Sequence, residues 1–529
     1  MSSNRNISND FFAAVSIGAE HELREILNVE GQEITIDAAK SYNEQGETPL
    51  LVAIRRNHFD VVKFLVDELK VDIGQNGRFW WKGLDHSEVP PLFAAILSGQ
   101  AIIVDYLIFA ENLISLPSIA MSSITSSSIS RQEKIDALEL IGSAYIFCGE
   151  VTARKFGLPC WVQAMILRQS TTGGEPEMPK NLRHSSELVR KAMGGAVEVN
   201  TLEQLMRLFT TEPHMQLMTQ ANMVNNRILQ KISPGSNFLT CTRLLKYGKD
   251  YWSGNEYGRV VNIAMLILEL IDLNDDDQNW DRMNVIINNT FNILSKSFSM
   301  LRRETANTNV REELSFANLM KVVEFSFAHC RSRTNELFQA RTTEDMNEWS
   351  FWPKNYIGDF IVLLHNMDLS QQENDLFRQS VAHFISLDHR IYLRRNLLHM
   401  ICLMSPVPID VIQLLLELGA DPNATDEEGH TSLHLLVKNH SEHVNTNAVR
   451  LLMDFGGHLD QANKFGTTVL ERLKYRMRHL LRMGVYDPNL KSLINNMLPL
   501  SCCSARVIRQ NRIDIRALPH SLQGFVRRH

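Results

Sequence analysis

Turn-forming residues are scarce in this chain: 26 glycines and 16 prolines in 529 residues, about 8% where ordinary usage is roughly 12%. So little punctuation excludes an all-β sandwich and long disordered stretches, and favours helices joined by short loops. Cysteine is sparse too. The seven, at 148, 160, 241, 330, 402, 502 and 503, form no CxxC pair, and the adjacent Cys502 and Cys503 are too constrained for an ordinary disulfide. A disulfide framework is excluded, and reduced thiols in a reducing compartment are expected. No apolar run reaches the roughly twenty residues of a membrane span, since the most apolar stretch, 260–271, carries Asn262 and Glu269. The opening residues MSSNRNISNDFF lack the apolar core of a signal peptide. A cytoplasmic or nuclear location is the expectation. Net charge is only −6, so no global field points to nucleic acid or a membrane.

Catalytic signatures are missing as well. There is no Walker A loop, no G-x-G-x-x-G after a strand, no H-E-x-x-H and no G-x-S-x-G. The acidic run 272–277 lacks the glycine and final glutamate of a calcium loop. His399 with Cys402, and His434, His440 and His443, would have to converge as four ligands to hold a metal. The first and last of the turn histidines, His399 and His434, are better read as bonding neighbouring loops. No enzyme chemistry, metal or cofactor is expected.

What the chain does contain is repetition. Gly46-Glu47-Thr48-Pro49-Leu50-Leu51-Val52-Ala53, followed by Val61-Val62-Lys63-Phe64-Leu65, follows the ankyrin pattern of a turn and two short helices. Pro49 suits a first helical turn, where its missing N–H costs nothing. The apolar stripes of one such hairpin need neighbours to cover them. A degenerate unit precedes it at 11–27, and another follows from Pro90-Pro91-Leu92 to Leu107. Leu50 to Leu92 spans 42 residues, so a repeat of about 33 has gained about nine, around Gly74 to Glu88. The pattern returns at Asn396 to Leu418, at Gly429-His430-Thr431-Ser432-Leu433-His434 and at Gly466-Thr467-Thr468. Between the two blocks, helical periodicity prevails, opened by Ser130 as N-cap with Glu133 at the capping-box position.

The expected fold class is therefore all-α, a helical repeat solenoid. Its expected divisions are N-terminal ankyrin repeats over 1–114, a Ser-rich linker over 115–130, and a helical, tetratricopeptide-like region over 131–370. C-terminal ankyrin repeats at 371–485 and terminal helical motifs at 486–529 follow.

Two motifs stand in that last stretch. Pro499, Leu500, Ser504 and Ile508 fit a BC box, with Leu500, Ser504 and Ile508 sharing one helix face. Leu518, Pro519, Leu522, Phe525 and Val526 fit a cullin-2 box. The two motifs in this order, the stretch Ser130-Arg131 to Gly142, and the succession of blocks resemble the feminization-1 (Fem-1) family along nearly the whole chain. That resemblance implies a non-catalytic substrate receptor of a cullin-2 RING ubiquitin ligase. Elongin C (with elongin B) and cullin-2 would bind the terminal boxes, and a substrate's C-terminal degron, commonly ending in arginine, would bind the N-terminal ankyrins. No nucleic acid and no membrane are implied.

The sequence departs from the family in having about three N-terminal repeats where several more are usual. Where the family hairpin has Phe followed by Asp, here Phe79 is followed by Trp80, Trp81 and Lys82. Asp85 or Glu88 would then supply the acid, and Trp80 would stack on a guanidinium. The alternative is that the tryptophans cap the shortened solenoid or pack on the helical middle. A plain ankyrin scaffold without ligase coupling is the competing function. Six arginines against Asp514 in the final 24 residues raise nucleic-acid binding, but with Phe525 the only aromatic among them, solvated faces are the better reading.

Overall fold

The computed structural model describes residues 2–81, 84–113, 130–171, 176–180, 186–211, 213–232, 238–273, 280–305, 312–337, 356–390, 392–438, 445–495 and, beyond these, 504–505, 507–508, 513–516, 518–519, 522–523 and 526. The Ser-rich stretch read as a linker lies almost entirely outside them. Among the described residues the chain is helical apart from one two-stranded sheet. This is the all-α repeat architecture expected. No helix described is long and apolar enough to cross a membrane. The chain divides into two compact units, residues 1–300 and 301–529.

The first unit begins with α1 (Ser2–Ile17), α2 (Glu20–Glu30) and α3 (Gln32–Lys40), then the hairpin α4 (Pro49–Arg56) and α5 (Phe59–Lys63). Local chemistry sets α4. Thr48 caps it by accepting from the Leu51 N–H at 3.2 Å, Pro49 opens the first turn, and Asn57 closes it in the left-handed region. Its residues Leu50 to Ile54 are all buried. The extra residues in this repeat form an antiparallel hairpin, β1 (Gly77–Trp81) and β2 (Leu84–Val89), in which Phe79 faces His86 and Trp80 faces Asp85. Next come α6 (Pro91–Leu97) and α7 (Ala101–Leu113).

The ankyrin stack passes from α1 to α4 to α6, and α6 packs directly on the first helix of the middle region, α8 (Arg131–Phe147). The solenoid's apolar end is thus closed by α8. The capping box foreseen at Ser130 and Glu133 is formed. Behind α8 lie α9 (Leu158–Gln169), α10 (Glu187–Ala192), α11 (Leu202–Thr211) and α12 (His214–Ile232). The hairpin α13 (Phe238–Ser253) and α14 (Tyr257–Leu270) and the long α15 (Trp280–Thr305) follow. Gly142 of α8 lets α9 approach, since a Cβ there would stand 2.3 Å from Cδ1 of Trp161. A buried ionic cluster ties α8 to its neighbours. Glu139 meets Arg168 of α9 (2.9 Å), Arg227 of α12 (2.6 Å) and Lys180 (3.6 Å), and Glu198 meets Lys180 and Arg227 (both 2.9 Å).

In the second unit, α16 (Phe316–Leu337) packs against α17 (Tyr356–His365) and α18 (Gln371–Ser386). Three ankyrin hairpins follow: α19 (Leu397–Cys402) with α20 (Ile409–Glu417), α21 (Ser432–Lys438) with α22 (Thr446–Asp454), and α23 (Val469–Arg482) with α24 (Pro488–Ile494). Helices α19, α21 and α23 stack as one layer, and α20, α22 and α24 as the other.

Candidate functional site

A concavity of about 1090 Å³ lies among the N-terminal repeats. One wall is the Ser8 to Ser16 face of α1, a second is the turn 42–47, the floor is Val52, Arg55 and Arg56 of α4, and the far wall is Arg78, Trp80 and Asp85 of the hairpin. Strand alternation explains the hairpin's part: Arg78 and Trp80 share one face of β1 while Phe79 takes the other. Phe79 is fully buried and stacks on Trp81, with ring centroids 6.3 Å apart. That removes Phe79 from any ligand's reach. Trp80, 54% exposed, is the aromatic left facing the cleft, so it neither caps the solenoid nor packs on the middle region.

The acids divide likewise. Asp85 lines the cleft but is gripped by Arg78 through Nε and Nη2 of the guanidinium, and that hydrogen bonding draws its carboxyl below the usual range. Glu88 is exposed, has a left-handed backbone and does not line the cleft. Glu47, buried at the base of the turn, holds Arg55 and accepts from Asn43 at 3.0 Å. Arg56 and Glu44 line the same cleft from exposed positions. Sequence reasoning missed Arg78, Arg55, Arg56 and Tyr42. For Arg78 a signal was present, because it stands two residues before Trp80 and so on the same strand face.

The terminal motifs are described only in part. Pro499, Leu500 and Phe525 lie outside the described residues. Ser504 is exposed and Ile508 half-buried, both within helical turns. Pro519 is exposed and begins a turn closed by the Gln523 N–H at 2.9 Å. Leu518 is half-buried, Leu522 is 49% exposed, and Val526 is buried within the chain. Solvent thus reaches Ser504, Pro519 and Leu522 directly, and Val526 does not present itself.

The histidines read as structural are so placed. His399 donates from Nε2 to the His430 carbonyl, and His434 donates likewise to the Thr467 carbonyl, each at 3.1 Å. Each therefore bridges to the next repeat's turn, and burial pushes both imidazoles down to about 4. Cys402 is buried as a thiol. The turns carry their own device. Asp426 accepts from the N–H groups of Glu428 (2.9 Å) and His430 (2.8 Å). Asp426, Glu428 and His430 do lie within metal-ligand reach of one another, but Arg395 stands 3.3 Å from Asp426 and Lys438 3.8 Å from Glu428, and a ligand set crowded by cations disfavours another.

Comparison with known proteins agrees with this architecture. The ankyrin-repeat family matches residues 11–116 in three copies. Protein fem-1 homolog A-A of Mus musculus is 24% identical over 498 residues, covering 92% of this chain and 67% of its own length. Protein fem-1 homolog A of Homo sapiens is 25% identical over 504 residues, covering 92% and 68%. Protein fem-1 homolog C of Xenopus laevis is 24% identical over 452 residues, covering 83% and 65%. The chain thus spans about two thirds of these relatives' length. With ankyrin repeats at both ends, a helical middle opened by the Ser130 motif, and this likeness over nine tenths of its residues, the chain is an ankyrin-repeat protein similar along most of its length to the Fem-1 homologues.

Proposed function

We propose that this protein is the non-catalytic substrate-recognition subunit of a cullin-2 RING ubiquitin ligase. Its N-terminal repeats hold the C-terminal degron of a substrate, and its terminal motifs engage elongin C (with elongin B) and cullin-2. The observation that carries the recognition half is the open cleft walled by α1, α4 and the β1–β2 hairpin, large enough for several residues of an extended peptide. The coupling half is supported by the paired terminal motifs, in which Ser504 and Leu522 stand open to solvent. Trp80 offers a face for a guanidinium. Asp85 is available to one only by exchange with Arg78, and a surface ion pair exchanges partners at little cost.

Two measurements test the two halves separately. Peptides with C-terminal arginine should bind the full chain selectively and lose affinity with Trp80→Ala or Asp85→Ala; indifference to both changes rules out this cleft as the degron site. Leu500→Ala with Ser504→Arg should abolish co-purification with elongin C, because a buried leucine truncation typically costs about 2–5 kcal/mol and arginine cannot share a close helix contact. Undiminished elongin C capture by that variant defeats the coupling.

A further inference from the structure

Helix α23 is unlike the other ankyrin helices in its charge. Its fourteen residues carry Arg472, Lys474, Arg476, Arg478 and Arg482, with His479, against the single acid Glu471. Val469, Leu473 and Met477 bury one face in the repeat stack, and Lys474, Arg478 and Arg482 are exposed on the helix's outer side. No acid pairs with these three among the described residues. Their i, i+4, i+8 spacing sets them in one row, about 6 Å apart at 1.5 Å rise per residue. Tyr475 stands beside the row at 66% exposure, and at its C-terminal end are the exposed Leu481, Met483 and Tyr486. A chain of net charge −6 therefore carries on this helix a concentrated cationic strip with an apolar end.

We propose that this outer face of α23 is a docking surface for an acidic helix of a partner protein. An opposing helix with carboxylates at i, i+4 and i+8 repeats the 6 Å spacing of the row, and an apolar residue just beyond them meets Leu481, Met483 and Tyr486. A bilayer fits less well, because the apolar face that would enter it is already buried in the repeats. A nucleic acid backbone matches the cations, but it has no apolar counterpart for the strip's end. Complementary charge would speed and orient the encounter, while the apolar end supplies contact that salt does not screen.

The test uses the full chain and a synthetic helix-forming peptide with glutamates at i, i+4, i+8 and leucines on the following turn. Binding is read by fluorescence anisotropy at low and high salt. Lys474→Gln, Arg478→Gln and Arg482→Gln together should weaken binding by roughly threefold to a hundredfold, the summed loss of three surface ion pairs. Leu481→Ser with Tyr486→Ser should weaken the residual binding at high salt. Circular dichroism checks that the variants keep their helix, and Arg478→Gln alone serves if the triple change does not. Absence of peptide binding, or binding unaffected by neutralising the row, overturns the proposal. So does tighter binding of a DNA duplex, or of phosphatidylserine vesicles, than of the peptide.

Discussion

Replacing Glu139 by glutamine strikes the most buried charge of the first unit. The Glu139 side chain is 4% exposed, and its oxygens meet Arg168, Arg227 and Lys180. Burial alone would raise its carboxyl, but the charges of Arg227, Lys180 and Arg168 outweigh that and hold it at about 2. Glutamine keeps the shape and loses the charge. Lys180 and Arg227 retain Glu198, whereas Arg168, itself 5% exposed, loses the carboxylate it pairs with and keeps its bond to the Met178 carbonyl. Breaking a buried pair from one side typically costs about 3–5 kcal/mol, because the stranded ion stays desolvated. The loss should appear as a lower urea midpoint for the transition of residues 1–300, followed by tryptophan fluorescence. The pH dependence has a fixed sign. A carboxyl depressed to about 2 in the folded chain contributes fully above its ordinary value of about 4.3 and loses that contribution as pH falls toward 2. Glu139→Gln should therefore flatten the acid limb in that window. A glutamine variant within about 1 kcal/mol of wild type, with an unchanged acid limb, would refute the account of α8 as held by this cluster.

Other consequences are smaller and equally direct. Gly142→Ala puts a methyl 2.3 Å from Trp161 Cδ1 and should cost about 1–3 kcal/mol by overpacking, seen as a lower melting temperature. His399 and His434, pushed down to about 4, favour the neutral ring, so their contribution is complete above about pH 6.5 and declines as pH falls toward 4. Urea midpoints of His399→Gln with His434→Gln should be lower at neutral pH and flatter across that window, and an acid slope equal to wild type would contradict this. Asn463 accepts from the N–H groups of Phe465 and Thr467 at 3.0 and 2.9 Å. Asn463→Ala should thus lower stability by roughly 1–3 kcal/mol, measurable as a shifted denaturation midpoint for the C-terminal repeats.

What could be read from the sequence was what is local. Ser130 and Glu133 are three residues apart, and their capping box is a property of that spacing. The partners of Glu139 lie 29 and 88 residues away along the chain, so no periodicity pointed to the cluster. The hairpin was legible as about nine added residues, and its pairing was not. Strand register sets Trp80 opposite Asp85, and only that fold-back brings Arg78 onto Asp85 and consumes the acid that a basic ligand was expected to meet.

A local signal that went unread recurs in both units. Asn43, Asp426 and Asn463 each stand three residues before a glycine of positive φ, Gly46, Gly429 and Gly466. Each accepts from the N–H groups two and four residues on. The side chain supplies the turn's acceptor and the glycine supplies its handedness, so the turn forms from five consecutive residues without help from its neighbours. Next-repeat contacts then follow, as where the Lys464 N–H reaches the Glu428 carbonyl at 2.9 Å. A Cβ on Gly429 would press on that same Lys464 nitrogen at 2.8 Å. Because these three turns, in both units, are built by one shared device, the device carries no information about partners. Specificity has to come from residues the repeat does not require. The hairpin that turns Trp80 into the cleft is one such addition, and the exposed row Lys474, Arg478 and Arg482 along α23 is another.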